Sequence, residues 1–247
     1  LHTALKHIHF PDSIDELKKA INRLKFDEHF FLQLLMMLRK KSYEAVGTKP
    51  LSKMGPYEQT IRDGLGYELT SAQKRVVDEI HSDISRNIPM NRLLQGDVGS
   101  GKTIVSILST VSAVSNSVQV AIMAPTEILA HQHFETFKKH LEKVHISCAL
   151  LVGKQKASER KQTLEAVKDG KIDVVVGTHA LIQKDVEFKE LGLVIVDEQH
   201  RFGVAQRGVL TQKGLNPHLL AMTATPIPRT MAITYHGDMD LSIIDEM

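Results

Sequence analysis

Residues 96–103 read Gly-Asp-Val-Gly-Ser-Gly-Lys-Thr. This is a complete G-x-x-x-x-G-K-[ST] phosphate loop, and it needs one local context: a buried strand before it and a helix after it. The flanks supply both. Arg92-Leu93-Leu94-Gln95 is a short apolar run of strand character, and residues 104–113 are compatible with a helix. Glycines let backbone N–H groups turn inward around phosphate oxygens. The helix that follows points its positive end at the same anion. In this pattern Gly96, Gly99, Ser100 and Gly101 form the cradle, Lys102 reaches the β- and γ-phosphates, and Thr103 offers its hydroxyl to Mg²⁺. A dinucleotide fingerprint fits less well, because Gly99-Ser100-Gly101 is followed by Lys-Thr-Ile and the third glycine of G-x-G-x-x-G is missing.

From Arg92 onward, apolar runs alternate with amphipathic stretches. The pattern predicts strands at 92–95, 118–124, 146–152, 172–177, 193–197 and 218–222, and helices at 102–115, 127–142, 157–168 and near 204–213. Short continuous apolar strands separated by helices indicate a parallel sheet covered on both faces, which is a doubly wound α/β domain. Upstream, Ser13 and Glu16 form a capping-box pattern before Leu17, Ile21 and Leu24 at helical spacing. A second helix is expected over 27–44, with Phe30, Phe31, Leu34, Leu35 and Leu38 as its apolar stripe and Met36 and Met37 as packing residues. Residues 47–66 carry Gly, Pro and polar residues without a period and read as a connector. Thr70 and Gln73 then open another helix, to about Arg86. The expected organisation is a helical segment over 1–50, a connector over 51–66 and the α/β domain over 67–247.

Composition narrows the partners. A net charge of +2 gives no bulk argument for nucleic acid, so any such contact must come from local patches. A single cysteine, Cys148, excludes a disulfide within the chain and fits a reducing, cytoplasmic setting. No apolar run approaches the roughly 20 residues that cross a bilayer, and no signal peptide is visible. The chain begins at Leu1 and stops just after the apolar run 241–244, which suggests an excerpt from a longer protein.

In open parallel sheets, ligands bind at the carboxyl ends of the strands. Polar residues collect at those ends here: Gly96, Ala124-Pro125-Thr126, Gly177-Thr178-His179, Asp197-Glu198-Gln199-His200 and Thr223-Ala224-Thr225. Asp197 and Glu198, behind the apolar run Leu193-Val194-Ile195-Val196, have the character of a Walker B segment. Asp197 would hold Mg²⁺, and Glu198 would orient and deprotonate the attacking water. The thirteen histidines give no metal site: His131 and His133 stand two apart and so do not share a helix face, no H-E-x-x-H occurs, and no Cys/His cluster has zinc spacing. Among them only His200, at the edge of the site, is expected to have a role.

Taken together, Gly-Asp-Val-Gly-Ser-Gly-Lys-Thr, Ala-Pro-Thr-Glu-Ile-Leu-Ala, Val-Gly-Thr-His-Ala-Leu-Ile-Gln, Asp-Glu-Gln-His-Arg-Phe-Gly and Met-Thr-Ala-Thr-Pro-Ile-Pro-Arg-Thr resemble the first RecA-like motor lobe of a superfamily 2 helicase. The branch most similar is the ATP-dependent one that remodels branched DNA and stalled replication forks. The opening His7-Ile8-His9-Phe10-Pro11 and residues 23–28 also resemble the segment that precedes the motor in that branch. The resemblance implies ATP and Mg²⁺ as cofactors and branched or forked DNA as partner. It implies that Tyr67 and Gln73 belong to an adenine-reading Q motif, and that Thr126, Gly177 and Thr178 contact the DNA backbone. Gln199, His200, Thr223, Ala224 and Thr225 would couple nucleotide state to DNA grip, and Arg201, Arg207 and Arg229 would serve lobe packing or coupling. A second motor lobe, which supplies the arginine finger, and an N-terminal wedge domain are parts of the family pattern absent from these 247 residues. The alternatives are the motor lobe of a transcription-repair coupling factor, a P-loop nucleotide switch without helicase activity, and a small-molecule P-loop kinase. The coupling factor typically has Glu where this chain has Gln199. The switch gives no reason for Thr223-Ala224-Thr225, and no substrate pocket or lid for a kinase is visible.

Overall fold

The computed structural model describes residues 1–53, 55–198, 204–225 and 238–246, without the side chains of 43 and 204–207. The chain divides into two compact units, Leu1–Tyr43 with Ile227–Met239, and Glu44–Pro226 with Asp240–Met247.

The first unit is built on two helices, α1 (His2–His9) and α2 (Ile14–Glu44). The sequence pattern suggested two helices where α2 is one. Neither Gly nor Pro interrupts residues 24–27, and Arg23 and Asp27 pair across the expected break, Nε to Oδ2 at 3.1 Å. Ser13 opens the helix as expected, its hydroxyl accepting the Glu16 N–H. The predicted stripe is not a core: Phe30, Phe31, Leu34, Leu35 and Leu38 are 42–62% exposed, and Met36 is buried while Met37 is not.

The second unit carries the sheet. Its elements in chain order are α3 (Tyr57–Asp63), α4 (Ser71–Ile84), β1 (Asn91–Gly96), α5 (Lys102–Val114), β2 (Gln119–Met123), α6 (Glu127–Leu141), β3 (Cys148–Leu151), α7 (Ala157–Lys168), β4 (Val174–Gly177), β5 (Leu191–Val196), α8 (Val204–Thr211), β6 (His218–Thr223) and β7 (Asp240–Ile244). Short 3₁₀ turns follow α6 and β4. Among the described residues, seven strands form one parallel sheet in the order β3-β4-β2-β5-β6-β1-β7. Strands β2, β4 and β6 are buried at every residue. That explains their unbroken apolar character, since a parallel sheet is covered on both faces.

Helix α5 is buried from Ile104 to Ala113 although it contains Ser106, Ser109, Thr110 and Ser112. Each of these hydroxyls donates to a carbonyl one turn back, on Thr103, Val105, Ser106 and Leu108, at 2.7–3.0 Å. No donor is stranded, so a partly polar helix packs in the core. Two elements escaped the sequence reading. Helix α3 lies inside the expected connector and buries Ile61 completely, and β7 adds a strand beside β1. Arg92 of β1 fixes that edge: its guanidinium bonds Asp83 and Glu79 of α4 and the Ser242 hydroxyl of β7. A buried guanidinium is tolerated because its fork is met by several acceptors at once.

Candidate functional site

All strands run parallel, so their carboxyl ends meet along one edge, and the register places the polar tips side by side. Gln95 of β1 lies opposite Thr223 of β6, Val196 of β5 opposite Ala221 of β6, and Met123 of β2 opposite both Val196 and Gly177 of β4.

The loop after β1 has the conformation its glycines predict. Gly99 and Gly101 stand at φ +84° and +89°, where a side chain would be strained. A Cβ on Gly96 would collide with Ser100 Oγ, and one on Gly101 with the Gln73 amide. Helix α5 starts at Gly101 with no side-chain cap, which leaves its first N–H groups facing the loop. Ser100 Oγ is buried in the same loop without a hydrogen-bond partner among the described residues. Lys102 donates to the carbonyls of Gly96 (2.7 Å) and Asp97 (2.8 Å). Burial lowers its pKa, while Asp197, then Glu198 and Asp97, pull it back up. The two acids of the β5 tip share the carboxyl edge of the sheet with the loop lysine, with only β6 between β5 and β1. Thr103, half-buried in the first turn of α5, completes a set of N–H donors, one cation and one hydroxyl suited to a polyphosphate.

At the β5 tip, Asp197 is buried and its N–H donates to the Met123 carbonyl of β2 at 2.9 Å. Its Oδ1 accepts the Glu198 N–H at 3.0 Å. Its Oδ2 accepts from His133 Nε2 on α6 at 2.7 Å. Glu198 stands at φ +49°, in the left-handed region that a long charged residue seldom occupies. The Thr103 hydroxyl and the Asp197 carboxylate are hard oxygen donors of the kind Mg²⁺ takes. Glu198 adds a second carboxylate next to them.

The remaining predicted residues divide. Thr223 is buried at the end of β6 and its hydroxyl accepts the Thr225 N–H at 3.1 Å, with Ala224 between them. Tyr67 is 59% exposed ahead of α4. Gln73 is buried and both ends of its amide are engaged: Oε1 accepts the Thr70 N–H, and Nε2 donates to the Ser100 carbonyl at 2.9 Å. The expected capping box is thus complete and also grips the phosphate loop. Of the three positions expected to meet DNA, Thr126 is exposed, with its hydroxyl capping α6 through the Leu129 N–H. Gly177 and Thr178 are buried. A Cβ on Gly177 would strike the Leu151 carbonyl, and the Thr178 hydroxyl faces the Ala180 N–H at 3.5 Å. Gln199, His200, Arg201 and Arg229 lie outside the described residues, as does the side chain of Arg207.

His133 was passed over because its spacing from His131 excluded a shared metal. The better signal was its distance from the preceding strand tip. It lies two turns into a helix that begins at that tip, on a face that can return to the edge.

The DEAD/DEAH box helicase profile matches residues 70–233. The chain is 48% identical to the ATP-dependent DNA helicase RecG of Aquifex aeolicus, over 98% of this chain and 32% of the relative. It is 49% identical to RecG of Bacillus subtilis, over 100% of this chain and 36% of the relative. It therefore spans about a third of the length of the relatives it matches. The solved structure of RecG bound to a three-way DNA junction superimposes with a TM-score of 0.87 at 45% identity, covering 99% of this chain and 33% of that one. A DNA-bound DUF1998 helicase, MrfA, shares the fold at a TM-score of 0.60 and 16% identity, covering 82% of this chain and 31% of that one. Among the described residues no helix is long and apolar enough to cross a membrane.

Proposed function

The chain belongs to the DEAD/DEAH box helicase family, and on that premise we propose that it is the ATP-binding motor lobe of a cytoplasmic DNA helicase that remodels branched DNA. The motor lobe is residues 67–247, and the connector over 51–66 joins it to the helical segment over 1–50. The observation that carries the reading is the convergence of Lys102, Asp197 and Glu198 at one sheet edge, beside a loop whose backbone is preset for phosphate. The likeness to a RecG structure that holds a three-way junction supports branched DNA as the partner.

The chemistry follows from the positions. The loop N–H groups and the α5 N-terminus bind the phosphates, and Lys102 exchanges its two loop carbonyls for β- and γ-phosphate oxygens. Thr103 and Asp197 would hold Mg²⁺, which would supply positive charge to offset the negative charge of the phosphates. Glu198 orients the attacking water and accepts its proton. Tyr67 offers a face for the adenine, and Gln73 sets the loop beneath it. Thr223-Ala224-Thr225 and Gln199-His200 link this edge to DNA grip. Thr126 offers a hydroxyl to the phosphate backbone, which positions DNA without reading sequence.

The test is ATP hydrolysis by the full-length protein with and without a three-way junction. Strong stimulation by the junction is expected, and an unstimulated rate would favour the nucleotide-switch reading. The 247-residue chain alone should hydrolyse ATP slowly. An arginine finger contributes roughly 10³ to 10⁵ in rate, and the family pattern places it on a second lobe. Equal rates from chain and full-length protein would show the site to be complete within this lobe.

A further inference from the structure

We propose that His133 is a positioning residue that holds the metal-binding carboxylate of Asp197 in place, an inference that rests on the nucleotide-site reading above. Three observations carry it. His133 Nε2 stands 2.7 Å from Asp197 Oδ2, with both side chains about 13% exposed. An N–H facing a carboxylate oxygen at that distance is a strong, charge-assisted hydrogen bond. The imidazole is itself held, because the ring of Phe137, one turn further along α6 and fully buried, meets it edge-on at 6.5 Å between centroids. Finally, the other oxygen of Asp197 takes the Glu198 N–H, so each carboxylate oxygen has one fixed donor.

The consequence is a carboxylate with a set rotamer. Each oxygen carries two lone pairs, and one donor apiece leaves a lone pair on each for a cation. A ligand already oriented loses less freedom when the cation arrives. Donors behind a ligating carboxylate commonly tune affinity in this way. The frame that sets the distance is rigid at both ends. The Asp197 N–H is tied to Met123 of β2, and Thr126, three residues after Met123, caps α6. Strand end, helix start and carboxylate are therefore one connected assembly. The helix that Thr126 caps presents His133 to the metal ligand two turns later.

The test uses the full-length protein and Mn²⁺ as probe, with its binding in the presence of ADP followed by electron paramagnetic resonance. His133→Met keeps a side chain of similar reach and removes the donor. Its Mn²⁺ dissociation constant should rise about 10- to 100-fold, the usual effect of deleting such a partner, while ADP affinity without metal stays at the wild-type value. His133→Gln restores an N–H donor and should recover most of the loss. The Mg²⁺ concentration for half-maximal ATP turnover should move in parallel. If His133→Met binds Mn²⁺ as the wild type does, or if His133→Gln is as weak as His133→Met, the proposal fails. His133→Leu is a second donor-free variant should circular dichroism show His133→Met to be misfolded. Asp197→Asn separates the two levels: unchanged Mn²⁺ binding in that variant would overturn the nucleotide-site reading itself, and weakened binding there with none in His133→Met would overturn only the role of His133.

Discussion

The two edges of the sheet have much in common and do different things. Each has a half-buried lysine, a histidine hydrogen-bonded within the protein and a non-glycine residue with positive φ. The amino edge also has a cavity of about 720 Å³, lined in part by Lys49, Val118, Phe188, Leu191 and Leu215. There, however, the polar groups serve the protein's own backbone. Both ring nitrogens of His218 are used, Nδ1 accepting the Met90 N–H and Nε2 donating to the Lys49 carbonyl. Lys213 donates to the carbonyls of Gln183 and Val186. The positive φ belongs to Asn216, a residue that tolerates it in a turn. At the carboxyl edge the strained residue is Glu198, the helix start lacks a side-chain cap, and a lysine and two acids converge. Room alone does not make a site. Convergent charge and backbone donors left for a ligand do.

If the carboxyl edge is the chemical one, Lys102→Ala in the full-length protein should give the largest effect, a fall in ATP turnover of about 10³-fold or more, as expected when a phosphate clamp is lost. Thermal stability should hold, because the lysine bonds only loop carbonyls. Wild-type nucleotide affinity in that variant would erase the contrast between the edges. Glu198→Gln should lower hydrolysis by roughly 10² to 10⁴ while nucleotide binding persists, measured as single-turnover rate beside ADP affinity. A rate near the wild type would mean that another group orients the water. The smallest effect belongs to the amino edge. Burial pushes the His218 pKa down to about 4, partly offset by the Lys49 carbonyl and Asp83. The folded state thus refuses a proton that the unfolded chain accepts near its usual 6.5. Stability from this group is complete above that pH and falls as pH drops toward 4, by about 3 kcal/mol in all. His218→Gln should flatten that part of a denaturation-versus-pH curve and leave ATP turnover at neutral pH unchanged. A changed turnover would show that the two edges communicate.

Local features were legible in the sequence, and features that depend on distant partners were not. The phosphate loop could be read because eight contiguous residues impose its geometry, and six strands because each is an apolar run ended by polar residues. The Thr70–Gln73 capping box was visible for the same reason, whereas the second bond of Gln73, to Ser100, lies 27 residues away. The His133–Asp197 bond spans 64 residues and left no trace in spacing. Strand β7, a short Asp-Leu-Ser-Ile-Ile, becomes a strand only because β1 offers an edge. The burial of Gly177 and Thr178 was hidden because the same residue types suit both a tight strand contact and a phosphate contact.

The strand that leads into the phosphate loop lies between β6 and β7, the last two strands among the described residues. Arg92 and its Ser242 partner are 150 residues apart in sequence. Strands β2 to β5 can pair among themselves as soon as they exist. Strand β1 precedes the other six in sequence, yet it has no neighbour in the sheet until β6 and β7 have been made. Long-range parallel pairing of this kind is slow, because the chain entropy is lost before the contacts form. On a ribosome that order matters: the glycine-rich loop is made before the strands that flank β1, so a nascent chain holds a half-built sheet before the loop has its frame.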